Sequence, residues 1–168
     1  MRLKFKVLLL FLFFSAAASP QAAKIQAMFI YNFTKYIDWP ESSRSNSFVI
    51  GVLNDVELYT RLTEVVAGKK MNALPIVVNK LTNSALTEQI HILFVGASQC
   101  EKLPSICNKL EDREVLIISN CPDGIDHGAA ISFVVVANKQ RFSLSRQNFV
   151  KHKLQMKPEL ENFALKVK

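Results

Sequence analysis

Two hydrophobic periods alternate along most of the chain. Ile25, Met28, Phe29, Phe33 and Tyr36 repeat at three-and-four spacing and predict a helix over residues 23–38. Pro40 holds Trp39 out of helical geometry and is expected to end that element. After the polar loop ESSRSN, the run FVIGVL (48–53) reads as a buried strand. Asn54 and Asp55 can cap a helix bearing Val56, Leu58, Leu62 and Val65 or Val66, which Gly68 closes. LPIVVNKL (74–81), IHILFVG (90–96) and EVLIIS (114–119) give three more strands. The second of these is almost wholly apolar, which implies burial on both faces. SALTEQ (84–89) reads as a turn or short helix, and residues 98–111 as a helical segment that tolerates Pro104 at a first turn or a break.

Beyond residue 120 the pattern changes. CPDGIDHG (121–128) is a loop dense in turn residues, while AAISFVVV (129–136) and RFSLS (141–145) flank residues 137–140 and predict an antiparallel hairpin. Ser145 can cap a helix through about Lys153, and a last helix starts near Lys157 with Pro158 at its first position. Strand and helix alternate from 48 to 119. The expected fold is α/β, a three-layer sandwich whose mostly parallel central sheet carries an antiparallel C-terminal hairpin and is flanked by helices.

The first 18 residues lie outside this pattern. MRLKFK, the apolar run VLLLFLFF and the small residues SAAA form an export signal, with cleavage expected after Ala17 or Ala18. The apolar run is short for a membrane span, and no lipidation cysteine follows it. The expected organisation is a signal peptide over 1–18 and one domain over 23–168, delivered to a Gram-negative periplasm. Cleavage removes Arg2, Lys4 and Lys6 but no acid, so the formal charge falls from +7 to +4. That balance is ordinary for solvated lysines and also suits an acidic partner.

Cys100, Cys107 and Cys121 allow one disulfide and one thiol in an oxidising compartment. Their spacing contains no CxxC unit, so neither redox catalysis nor a zinc knuckle is supported. Parallel strands would end on one edge of the sheet, bringing Cys100 and Cys121 within bridging distance. A Cys100–Cys107 bridge stays open if the intervening helix breaks before Pro104.

Asn32 is the anomaly of the first helix. At about 100° per residue it falls among Ile25, Phe29 and Tyr36, at the centre of the apolar stripe. A buried carboxamide without partners costs about 1–3 kcal/mol, so it must be bonded. Either it ties the helix to a neighbouring loop or strand end through backbone groups, or it points into a pocket or at a partner chain.

The segments KIQAMFIYNFTKYIDWP, FVIGVLND, GKKMNALPIVV, HILFVGAS, LPSI, VLIISNCPDG and GAAISFVV, in that order over nearly the whole chain after the signal, resemble the YfiR/HmsC-like family of small periplasmic proteins. The resemblance implies a non-enzymatic regulator that binds the periplasmic sensor region of an inner-membrane diguanylate cyclase and represses it, lowering cyclic di-GMP and biofilm formation. It also implies a chiefly architectural role for Asn32, Trp39 and Pro40. Relatives often carry a cysteine just before the strand that starts here at Ile90, where this chain has Gln89. The family's disulfide pattern therefore does not transfer whole.

Other chemistry is sparse. Asp123, Asp126 and His127 are the best local polar cluster, and a small hydrolase would use them, but a tight loop needs the same residue types. His91, His127 and His152 lack spacing that would gather them around a metal. Gly51 and Gly96 belong to no phosphate-binding motif, so neither cofactor nor nucleic acid is expected. A small-ligand-binding module is the main alternative to regulation by docking. Lys151 and Lys153 in the basic, aromatic C-terminal segment are the candidate partner contacts. The partners admitted are the cyclase sensor domain and a second copy of the chain, without membrane insertion.

Overall fold

The computed structural model describes residues 20–168 apart from 44, 83–85, 87 and 88. The signal segment and most of SALTEQ lie outside the described residues. In chain order the elements are α1 (Pro20–Phe33), β1 (Ile37–Asp38), β2 (Phe48–Leu53), α2 (Val56–Val66), β3 (Lys70–Met71), β4 (Leu74–Leu81) and β5 (Ile92–Val95). There follow α3 (Leu103–Lys109), β6 (Leu116–Ser119), β7 (Ile131–Val136), β8 (Lys139–Leu144), α4 (Arg146–Lys151), β9 (Gln155–Met156), α5 (Glu159–Phe163) and β10 (Lys166–Val167). The architecture is a three-layer α/β sandwich.

The main sheet runs β10-β8-β7-β6-β5-β2-β4-β3. From β7 to β4 every neighbouring pair is parallel, whereas β8 opposes β7 and β3 opposes β4. Every residue of β5 and β6 is buried because each alternate side chain meets a different helical layer. Ile92, Phe94, Leu116 and Ile118 pack with Ile30, Phe33, Leu58 and Leu62 of α1 and α2. Leu93, Val95 and Ile117 pack with Leu103 and Ile106 of α3, and with Leu110 just after it, on the other face. Asp55 caps α2 by accepting from Leu58 N at 2.9 Å, as its position before the apolar periodicity predicts.

Several boundaries differ from expectation. The first helix ends at Phe33, not at 38, and Pro40 is not what stops it. Thr34 turns its hydroxyl back onto Tyr31 O at 2.7 Å, and Ile37 and Asp38 are then captured as a strand by Met156 and Gln155. Lys157 N completes the join on Tyr36 O at 2.8 Å. This long-range pairing is invisible to local periodicity. Residues 97–102 form a 3-10 stretch before α3, with Pro104 in the first turn of the helix. The hairpin turn is only Ala137–Asn138, both left-handed, and Asn72–Ala73 form a second such turn that the sequence reading missed. Pro158 is the N-cap of α5 and not its first residue, while α4 stops at Lys151.

The buried face of α1 is also turned by about one residue from the expected stripe. Ala23, Gln26, Ala27, Ile30, Phe33 and Thr34 face the core, whereas Met28 is 50% exposed and Ile25, Phe29, Asn32 and Tyr36 are half-buried. Weighting only the large apolar residues misplaced the stripe, because the small Ala23 and Ala27 face the core alongside Ile30 and Phe33. Gln26 is satisfied there by donating to Asn120 Oδ1 at 3.3 Å and Gln140 Oε1 at 3.1 Å.

His91 holds the opposite edge of the sheet. Its Nδ1 accepts from Val49 N at 3.0 Å, so Nε2 carries the proton and donates to Ser43 O at 2.8 Å. The ring stacks on Phe48, and Trp39 Nε1 donates to His91 O at 3.1 Å. Burial lowers the pKa of His91, against the raising effect of its bonds to Ser43 and Val49. Burial also lowers that of His152, whose Nδ1 lies 3.0 Å from Arg113 O.

Because the folded pKa values of His91 and His152 lie below the unfolded value of about 6.5, the unfolded chain takes up protons first as pH falls. Their contribution to stability is complete above that value and is lost below it. Urea midpoints will therefore be level from pH 8 to 7 and drop between 6.5 and 5; a midpoint that stays level or rises there contradicts the assignment. At Gly124 an added Cβ would collide with both Ser119 Oγ and Ser132 Oγ, which are bonded to each other in the core. Gly124→Ala is expected to cost about 1–3 kcal/mol by urea unfolding.

Candidate functional site

Sheets of this winding offer ligands a crevice at the carboxyl ends of the strands, where the chain's winding reverses. Here that point lies between β2 and β5, and backbone closes it. Gly96 N donates to Leu53 O at 3.0 Å, and a Cβ on Gly96 would stand 2.7 Å from Asn54 O. The glycine is there to let two loops touch, not to cradle a phosphate. On the same edge Cys100 is disulfide-bonded to Cys121 across a Cα separation of 5.4 Å, so the segment after β5 is tied to the end of β6. Cys107 is a buried thiol whose pKa burial pushes up to about 12, so it is neither a nucleophile nor a ready metal ligand.

Concave surface lies elsewhere. A cleft of about 480 Å³ opens at the opposite edge of the sheet, walled by Trp39, Pro40, Phe48, Met71, Leu74 and His91, with Glu41 and two serines beside them. Trp39 and Pro40 are thus brought together in one wall. Asn32 is not with them. It lines a smaller groove of about 250 Å³ between α1 and α5, with Phe29, Tyr36, Leu160 and Phe163. Its Oδ1 accepts from Lys35 Nζ at 3.0 Å, so its partner is a side chain one turn on, not the backbone of a neighbouring element.

The polar loop residues divide as well. Asp126 and His127 line a third cleft of about 250 Å³ with Cys107, Glu111, Lys151 and His152, while Asp123 does not reach it. His127 and His152 therefore share a cleft that their spacing in the sequence did not announce. Asp126 is paired with Lys168, whose hydrogen bond holds the carboxyl below its usual range. An ionised, ion-paired aspartate is a poor general acid. Among the described residues no three His, Cys, Asp or Glu side chains are placed to share a metal ion. Asn148 fixes this loop by donating to Ile125 O and Ala129 O at 2.9 and 2.8 Å. Lys151 Nζ stands 4.0 Å from Glu111, and Lys153 Nζ donates to Asp112 O at 3.3 Å. Both ammoniums lean on the turn after α3. None of these three clefts was legible as a unit in the sequence, because each is walled by segments far apart in the chain.

Among the described residues no helix is long and apolar enough to cross a membrane. No curated protein matches the chain. A crystal structure of a conserved domain protein from Vibrio cholerae O1 biovar El Tor str. N16961 resembles it with a TM-score of 0.57 at 8% sequence identity. The match covers 87% of this chain and 60% of that one, and it shows a shared fold. The model of YfiR/HmsC-like proteins matches residues 23–164, a stretch that runs from within α1 through α5. With that much of the molecule accounted for, the chain belongs to the YfiR/HmsC-like family, a family of periplasmic regulators that are generally not enzymes.

Proposed function

We propose that the chain is exported by residues 1–18, folds as one domain in the periplasm, and docks on the sensor region of an inner-membrane diguanylate cyclase to hold it inactive. The family match over residues 23–164 carries this reading. Two structural features support it. The crevice that would hold a nucleotide is filled by backbone at Gly96, and large apolar side chains such as Met28, Val136, Phe163 and Leu165 face solvent. Repression of this kind needs only differential affinity: binding the inactive cyclase about a hundredfold more tightly than the active one shifts the equilibrium by about 2.7 kcal/mol. A small-ligand module is the second reading, favoured by the 480 Å³ cleft at Trp39 and His91.

The test expresses the full chain with each membrane-anchored diguanylate cyclase of its own cell, one at a time, and measures cyclic di-GMP. At least one cyclase should lose most of its output, and a chain lacking residues 1–18 should have no effect. Unchanged cyclic di-GMP with every cyclase, or equal repression by the leaderless chain, would falsify the reading.

A further inference from the structure

The groove between α1 and α5 is built mainly of aromatic rings. Phe29 and Phe33 pack on Phe142, while Tyr36 meets Phe163 edge-on at 5.8 Å between ring centres. Phe163 remains 53% exposed, which is costly for a side chain able to bury elsewhere. At about 250 Å³ the groove falls below the usual range for small-molecule pockets and suits one large side chain of a bigger partner.

Three ammonium groups cluster about Tyr31 and Lys35, and Lys35 lines the groove. Lys35 Nζ lies 3.0 Å from Asn32 Oδ1 and 4.9 Å from the centre of the Tyr31 ring; Lys69 Nζ lies 4.0 Å from the same ring. Lys157 Nζ donates to Lys35 O at 3.0 Å. Among the described residues none of the three is ion-paired with a carboxylate. Of the α5 acids, Glu161 is committed to Arg146 at 2.6 Å. Asn32 is placed between the two features, holding Lys35 at the rim of the apolar wall.

We propose that this groove is the surface on which the regulated partner docks. The occupant is an acidic protein segment that inserts one large apolar side chain among Phe29, Tyr36 and Phe163 and sets its carboxylates on Lys35 and Lys157. The inference rests on the docking reading above and names the surface that reading requires. A concave apolar wall fits an inserted side chain, whereas a bilayer would be met by a protruding one. A second copy would bring the same unpaired lysines to the contact, and like charges oppose that pairing.

The probe is the cyclase that the full chain represses, assayed by co-purification and by cyclic di-GMP. Phe163→Ser, and separately the double change Lys35→Glu and Lys157→Glu, should each weaken co-purification at least about tenfold and restore cyclase output. The far-ultraviolet spectrum of both should stay that of the wild type, and the melting temperature of the double lysine variant should not fall. Since Lys35 and Lys157 are exposed, the double variant remains informative if Phe163→Ser misfolds. An acid-to-lysine change in the cyclase's docking segment should rescue that variant. Folded groove variants that bind and repress within twofold of wild type overturn the surface and leave the docking reading intact. So does loss confined to a Lys151→Glu, Lys153→Glu chain. If the groove variants instead lose binding to phosphatidylglycerol–phosphatidylethanolamine vesicles, or lose self-association, the face belongs to a membrane or a second copy and the proposal fails. A wild-type chain that represses no cyclase removes both inferences.

Discussion

The central constraint is the burial of β5 and β6 on both faces. With no polar face to show water, ILFV and LIIS must be covered by helices above and below, and they must lie inside the sheet. The parallel pairing of β5 with β2 and of β6 with β5 then demands crossover connections, which α2, α3 and the segments joining them supply. The sandwich is the consequence of a few continuous apolar runs.

The edges of that sheet are finished by polar and glycine contacts, and these decide where function can reside. At the carboxyl edge Gly96 lets backbone fill the usual ligand crevice, the Cys100–Cys121 bridge ties the following segment down, and Gln26 joins the carboxamides of Asn120 and Gln140 beneath α1. A bridge closing a loop of this length stabilises by about 3 kcal/mol in the chain-entropy picture. At the other edge the His91 ring joins Ser43, Val49 and Phe48, and its backbone carbonyl takes the Trp39 indole. Open surface includes the Trp39 cleft, the loop cleft beside Cys107, and the aromatic groove of α1 and α5.

The central strands and their direction could be read from the sequence because burial on two faces writes itself as unbroken apolar runs. So could the caps at Asp55 and Ser145, where a short polar side chain precedes a helical period. The shared end of parallel strands was enough to bring Cys100 and Cys121 together as one option, although composition alone could not rank it above Cys100–Cys107. The face of α1 was misread for a physical reason: alanine buries little area per residue, so Ala23 and Ala27 carry weak signal although they face the core. The pairing of Ile37–Asp38 with Gln155–Met156 spans more than a hundred residues and leaves no local trace. The same holds for the α1–α5 groove. Phe29, Asn32, Tyr36, Leu160 and Phe163 are ordinary helical residues until the fold sets them side by side.

That long-range pairing explains how a five-residue helix can present a firm surface. Isolated, α5 is too short to persist, since helix nucleation is unfavourable and so few residues repay little of it. Its two flanks are anchored instead: Lys157 N bonds Tyr36 O before it, and Leu165 N bonds Phe142 O after it. Leu160 fills the core between those anchors, and the Arg146–Glu161 pair fixes the outer side. Phe163 is thereby held against Tyr36 in a fixed position while still facing solvent. For the docking proposed above such rigidity is favourable, because binding energy is then not spent on ordering the chain's own surface. The strand β1, which began as a misplaced helix end, is part of what makes that surface stiff.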